Sequence, residues 1–177
     1  MIKYYAIPKV WFSVLLYFAI IELVIIFTKP SLFLDWNFIL TRVIFVFAFI
    51  FSLVIKNKIS YNFFQLLQNI LVFALMTFLY KETAMLNTLI FPKIDEFLSN
   101  LDQNIFKFQP SIEFSKHFNS LFFSELFYFG YFCYYLLPLV VFGILYKFLP
   151  QKIEEFGFIL ISSFLLYYFI FIIIPAE

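Results

Sequence analysis

A carboxylate inside an apolar run is costly enough in hydrocarbon to mark a functional candidate by default, and Glu22 stands in such a run. Lys81 and Glu125 fall near the ends of two other apolar runs, at the same expected depth. Glu22, Lys81 and Glu125 are therefore read as one polar cluster toward the outer face. Its chemistry would be either a structural ion pair of Glu22 with Lys81 or a contact with substrate. Asn62, Gln65 and Asn69 recur at intervals of three and four, with Gln68 beside them. Amides in hydrocarbon bond across to neighbouring helices, so packing is expected, with a ligand site as the alternative. His117 is the only histidine. One imidazole cannot be both nucleophile and acid, so it reads as an exposed loop residue. Asp95, Asp102 and Glu113 read as a solvated face, and Cys133 lacks the paired spacing of a disulfide, zinc or redox site. There is no Gly-rich phosphate loop, no G-x-S-x-G and no H-E-x-x-H. The residues alone thus predict no catalytic, cofactor-binding or metal-binding group.

The elements that position these residues follow from composition. Of 177 residues, 64% are hydrophobic, 25% aromatic and only 13% charged, whereas soluble domains are about half apolar and about a quarter charged. No water-soluble, collagenous or disordered chain fits. The net charge of +1 offers no basic field for nucleic acid, which is set aside as a partner. The 31 Phe and the single Arg, Arg42, match the codon usage of an AT-rich genome. A spanning helix needs about 20 predominantly apolar residues. Five stretches qualify, at about 10–27, 38–55, 63–80, 121–148 and 156–174, each bounded by charge, Pro or Asn, with Lys81-Glu82 ending the third. Helices are required because each must close its backbone hydrogen bonds internally in lipid. Pro138 is placed to kink the fourth. The first run is too long for a signal peptide and lacks a cleavage site, so it reads as an uncleaved span.

Lys and Arg in short loops set orientation. With the N-terminus inside, Lys3, Lys9, Lys56, Lys58, Lys147 and Lys152 are cytoplasmic, all in short connections. Lys29, Arg42, Lys81, Lys93, Lys107 and Lys116 are outside and more dispersed. The numbers are equal, so density decides for N-inside, with Trp11 and Trp36 at the two interfaces and Glu177 outside. In the outer segment, 82–120, the residues Ile94, Phe97, Leu98, Leu101, Ile105 and Phe108 share a helical spacing opposite a polar side. The pattern predicts an amphipathic helix after Pro92, broken at Gln109-Pro110-Ser111, then a shorter helix from Ser111 to Phe118. Such a segment can lie in the headgroup layer or roof the bundle.

Several runs in the second half carry a family likeness: Lys81-Glu82-Thr83, Leu89 to Phe97, Leu101-Asp102, Phe106, Phe108-Gln109-Pro110-Ser111, Ser124 to Phe132, and Tyr167 to Phe171 leading to Pro175. This half resembles the type 2 phosphatidic acid phosphatase superfamily, in its inositol-phosphorylceramide-synthase-like branch. The resemblance implies a bundle of about six spans with a phosphate site at the outer face. There a histidine attacks phosphorus, a second histidine protonates the leaving group and basic residues hold the phosphate, which is covalent phosphoryl transfer. The chain has no P-S-G-H or P-S-S-H, no S-R followed by His, and no Arg-Pro pair. The indispensable motifs would lie beyond Glu177, where the fifth span exits on the outer face.

The expectation is thus an all-α, polytopic membrane bundle forming one domain, 1–177, with five transmembrane helices and an amphipathic helix in the outer loop. It would sit in a bacterial cytoplasmic membrane. By the resemblance it is the membrane portion of a lipid-phosphate phosphatase or phospho-headgroup transferase, inactive alone. Its partners would be membrane lipids and a C-terminal catalytic half, and no cofactor is expected. The alternative is a non-enzymatic membrane protein, a packing subunit or carrier component.

Overall fold

Backbone polar groups in hydrocarbon must be satisfied internally, and the chain meets this with helix throughout. In the computed structural model, which describes residues 7–175, α1 (Lys9–Thr28), α2 (Trp36–Ile55), α3 (Tyr61–Leu86), α4 (Asp95–Phe106), α5 (Pro110–His117), α6 (Leu121–Phe148) and α7 (Ile153–Ile173) follow in order. Short 3-10 turns occupy Pro30–Leu34 and Pro150–Lys152. α1, α2, α3, α6 and the segment Pro150–Ile173 are long and apolar enough to cross a membrane. The predicted ends of α6 match the observed ones, and α6 runs on through Pro138. Lys3 and Glu177, assigned sides from sequence, lie outside the described residues.

Pairs of side chains give the helix directions. Trp11 meets Phe49 and Phe18 meets Phe45, so α1 and α2 are antiparallel. Ser13 reaches Ser162 at 2.8 Å, and Phe73 and Tyr80 stack on Phe164 and Tyr168, so α1, α3 and α7 run together. Phe63 meets Tyr146, and Phe142 meets Phe156, which sets α6 antiparallel to α3 and α7. α3 is central, touching α1, α2, α6 and α7. Lys9, Lys56, Lys58, Lys147 and Lys152 gather at one end of the bundle, and α4 and α5 at the other. The core is a continuous apolar seam from Val10, Trp11 and Val14 through Ile21, Val72 and Leu79 to Leu165 and Ile172.

Three readings change. α3 does not stop at Lys81-Glu82 but runs to Leu86, because an apolar helix continues past charges whose side chains find a partner or water. Trp11, in the first turn of α1, does not turn its indole outward: it is 1% exposed, against Phe49 in the core, whereas Trp36 is 72% exposed at the opposite end. The amphipathic helix begins at Asp95, not at Pro92, and its neighbour at Pro110.

Candidate functional site

The polar centre of the molecule assembles around the only arginine. Asp35 caps α2, its carboxylate accepting from the Asn37 and Phe38 amides at 2.8 and 3.3 Å, which fixes where the helix starts. Arg42 follows one turn after Phe38 on the same face, since residues four apart stack along a helix. Its guanidinium carbon lies 3.9 Å from the Phe38 ring centroid and 4.3 Å from that of Phe18 on α1. Arg42 Nε donates to Glu22 Oε1 at 2.6 Å, while Nη1 and Nη2 donate to the two oxygens of Glu82 at 2.6 and 2.8 Å. Three helices are thus joined through one side chain. Glu22 is one turn beyond Phe18, so α1 offers a ring and a carboxylate together.

The burial of the three groups differs. The Glu82 side chain is 2% exposed, that of Arg42 18% and that of Glu22 30%. A carboxylate as enclosed as Glu82 is tolerable only when paired and hydrogen bonded, and the two-toothed fork supplies both. Flanking aromatic faces add cation–π attraction to the same guanidinium. The Tyr17 hydroxyl, on the same stretch of α1, is buried without a hydrogen-bond partner among the described residues. The cluster holds cation and anions in place.

Of the three sequence candidates, the structure brings only Glu22 into this cluster. Lys81 and Glu125 are both exposed, on α3 and α6, and Glu22 pairs with Arg42 instead of Lys81. Arg42 and Glu82 were missed. Sequence alone reads Glu82 as part of a helix end and Arg42 as an outer charge near the start of its span. The signal for both was present: a lone Arg inside a span, one turn after a Phe, facing a span that also carries a ring and a carboxylate one turn apart.

The amides of α3 bond within their own helix, not across to another. Gln68 Nε2 donates to Gln65 Oε1, and Asn69 Nδ2 donates to the Gln65 carbonyl at 2.7 Å. Their remaining oxygens, Gln68 Oε1 and Asn69 Oδ1, are buried and unpartnered among the described residues. What Asn69 does across the helix gap is steric: a Cβ on Gly157 of α7 would collide with its amide. Asn62 is exposed and stands apart. His117 Nδ1 lies 2.8 Å from the Glu113 carbonyl, exposed at the end of α5. Among the described residues no group of three His, Cys, Asp or Glu is arranged to hold a metal ion. Between α1 and α7 runs an open apolar groove of about 250 Å³, bordered by Phe12, Leu16, Tyr17, Phe158, Leu166 and Phe169.

No family model, curated protein or solved structure matches the chain. Function therefore has to be argued from the site and the bundle.

Proposed function

We propose that this bundle is the membrane portion of a lipid-phosphate phosphatase or phospho-headgroup transferase whose phosphoryl-transfer groups are supplied by polypeptide beyond residues 1–177. The observation that carries the reading is the bond from the Ile94 amide to the Pro175 carbonyl, 3.0 Å long. It ties Pro175, just past the end of α7, to Ile94, just before α4, at the end of the bundle that also holds the Arg42 cluster. That is where the resemblance to the type 2 phosphatidic acid phosphatases calls for phosphate chemistry. The lysine density at the opposite end supports a cytoplasmic N-terminus, with the chemistry outside. A bacterial cytoplasmic membrane is the setting.

In this account the described residues build the scaffold and do not touch phosphorus. The Arg42 guanidinium is engaged by two carboxylates, so it holds α1, α2 and α3 in register and is not offered to an anion. His117 is a single, exposed imidazole and cannot divide the nucleophile and acid roles. Membranes carrying the native protein should form diacylglycerol from phosphatidic acid, or from a phospholipid supplied with an acceptor alcohol, above the level of membranes lacking it, and a purified chain of residues 1–177 should form none. Turnover by that purified chain, or no difference between the two membranes, overturns the reading.

A second reading, a non-enzymatic packing subunit, is favoured by α6. Only Pro138 and Phe142 of its 28 residues are buried. Its open side carries Tyr131 and Tyr135, whose hydroxyls bond each other at 2.7 Å. Hydroxyls on a spanning surface suit a helix of another membrane protein. Specific crosslinking from position 131 to one other protein, with no diacylglycerol formed, would select this reading.

A further inference from the structure

Among the described residues, α4 and α5 form a helical layer that the bundle itself does not cover. Neither has a buried residue. On α4, Phe97, Leu101 and Ile105 are 62%, 39% and 66% exposed, with Leu98 beside them, while Glu96, Ser99 and Gln103 occupy the opposite side. A helix of 12 residues is marginal in water on its own, so this apolar face has to be covered by something.

Where the layer is pinned decides what covers it. Its start is held to the segment just past α7 by the Ile94–Pro175 backbone bond, at 3.0 Å. Gln109 Nε2 donates to Ser99 Oγ at 2.6 Å, which folds α5 back on α4 through the polar side and leaves the apolar side outward. Phe114 of α5 stacks on Phe127 of α6 at 5.5 Å, and Phe118, just past α5, on Phe123 at 4.8 Å. Phe127 lies nearly two turns inside α6, about 9 Å from its start at 1.5 Å per residue. α5 thus rides alongside the outermost turns of a spanning helix, not above them in water. The neighbouring α6 residues Phe122, Leu126 and Phe129 are themselves exposed. Through α5 and Phe118, the apolar surface of this layer adjoins the belt that the spans present to lipid.

We propose that α4 and α5 are an interfacial helix pair, lying in one leaflet with Phe97, Leu98, Leu101 and Ile105 in the acyl boundary and Glu96 and Gln103 toward water. Amphipathic helices with this division settle at that depth. The charges accord with a headgroup layer that carries both signs: Asp95, Glu96, Asp102 and Glu113 share the segment with Lys93, Lys107 and Lys116. The partner is the lipid surface itself, independently of whether the bundle serves an enzyme.

The test uses the full chain in vesicles of phosphatidylcholine and phosphatidylglycerol, with Cys133→Ser as background. Single cysteines at Leu101, Ile105, Glu96 and Gln103 carry a polarity-sensitive dye. Lipids bearing a quencher on the acyl chain should quench the dye at 101 and 105 several-fold more than at 96 and 103, and aqueous iodide should show the reverse order. Equal iodide quenching at all four positions would mean a layer in water, and protection of 101 and 105 from both quenchers would mean a protein cover. Either outcome overturns the proposal. Glu96 and Gln103 are exposed, so dyes there report on a folded chain even if a label at 101 or 105 perturbs the layer.

Discussion

The Arg42 guanidinium and the Glu82 carboxylate meet fork to fork, at 2.6 and 2.8 Å, where α2 and α3 come together. Because Glu82 is almost wholly enclosed, removing its partner strands a buried charge. Arg42→Met should cost about 3–5 kcal/mol. Arg42→Lys should recover little, since a single ammonium cannot reach both Glu82 oxygens and the Glu22 carboxylate at once. The double change of Arg42 and Glu82 to Met should recover much of the loss. Unfolding in mixed detergent micelles measures all three, and an Arg42→Met protein as stable as the parent would contradict the arrangement.

Glu22 tests the same cluster from its wetter side. Its side chain keeps 30% exposure, so it can exchange Arg42 for water or headgroups. Glu22→Gln should cost clearly less than Arg42→Met. Lys81→Met, at an exposed position outside the cluster, should fall within about 0.5 kcal/mol of the parent. A larger loss for Lys81→Met than for Glu22→Gln in the same unfolding series would restore the pairing expected from depth alone.

Gly157 is set by the Asn69 amide pressed against it. Gly157→Ala should force α3 and α7 apart and cost about 1–3 kcal/mol as overpacking. Asn69→Ala vacates that space, so the pair of substitutions should be far from additive, which a double-mutant cycle reads directly. Strict additivity would mean the two helices do not approach here.

Ser13 and Ser162 share the hydroxyl bond, 2.8 Å long, that crosses from α1 to α7. Such bonds within membranes average about 0.6 kcal/mol. Ser162→Ala should therefore be mild, and milder than Gly157→Ala. A larger effect from the serine would place the helix contact in polar bonding instead of close packing.

In α5 the Lys116 ammonium, 2.6 Å from Glu113, holds that carboxyl below its ordinary range. A lowered folded value means the pair's contribution is fully present above the ordinary Glu value of about 4.3. It is lost as pH falls through the lowered value. Amide exchange in α5 should thus be flat near neutrality and rise on acidification, after correction for the intrinsic rate, and Glu113→Gln should abolish the rise. The pair is exposed, so added salt should shrink the effect.

Much of the architecture was legible because hydropathy registers span length: α6 matches its predicted ends, and α1 and α2 extend only slightly beyond theirs. What hydropathy cannot register is azimuth. Glu22, Lys81 and Glu125 were grouped by depth, but adjacent residues on a helix point about 100° apart. Glu82 therefore turns into the bundle while its neighbour Lys81 turns out. The inward turn of Trp11 is illegible for a related reason, since an indole near a helix start can face outward or into the core until the facing Phe49 is known. The burial of Gln65 and Asn69 together was legible in their spacing, with Asn62 the exception. Their bonding inside the helix was not, because spacing does not fix which partner a buried amide takes.

The measurement that bears most directly on the proposed function is the intact mass of the protein taken from its native membranes. The account predicts a mass well above 21.3 kDa, larger by a catalytic half that carries the paired histidines. A mass near 21.3 kDa would contradict it and leave a lipid-facing bundle clamped by Arg42 as a protein without phosphoryl-transfer chemistry.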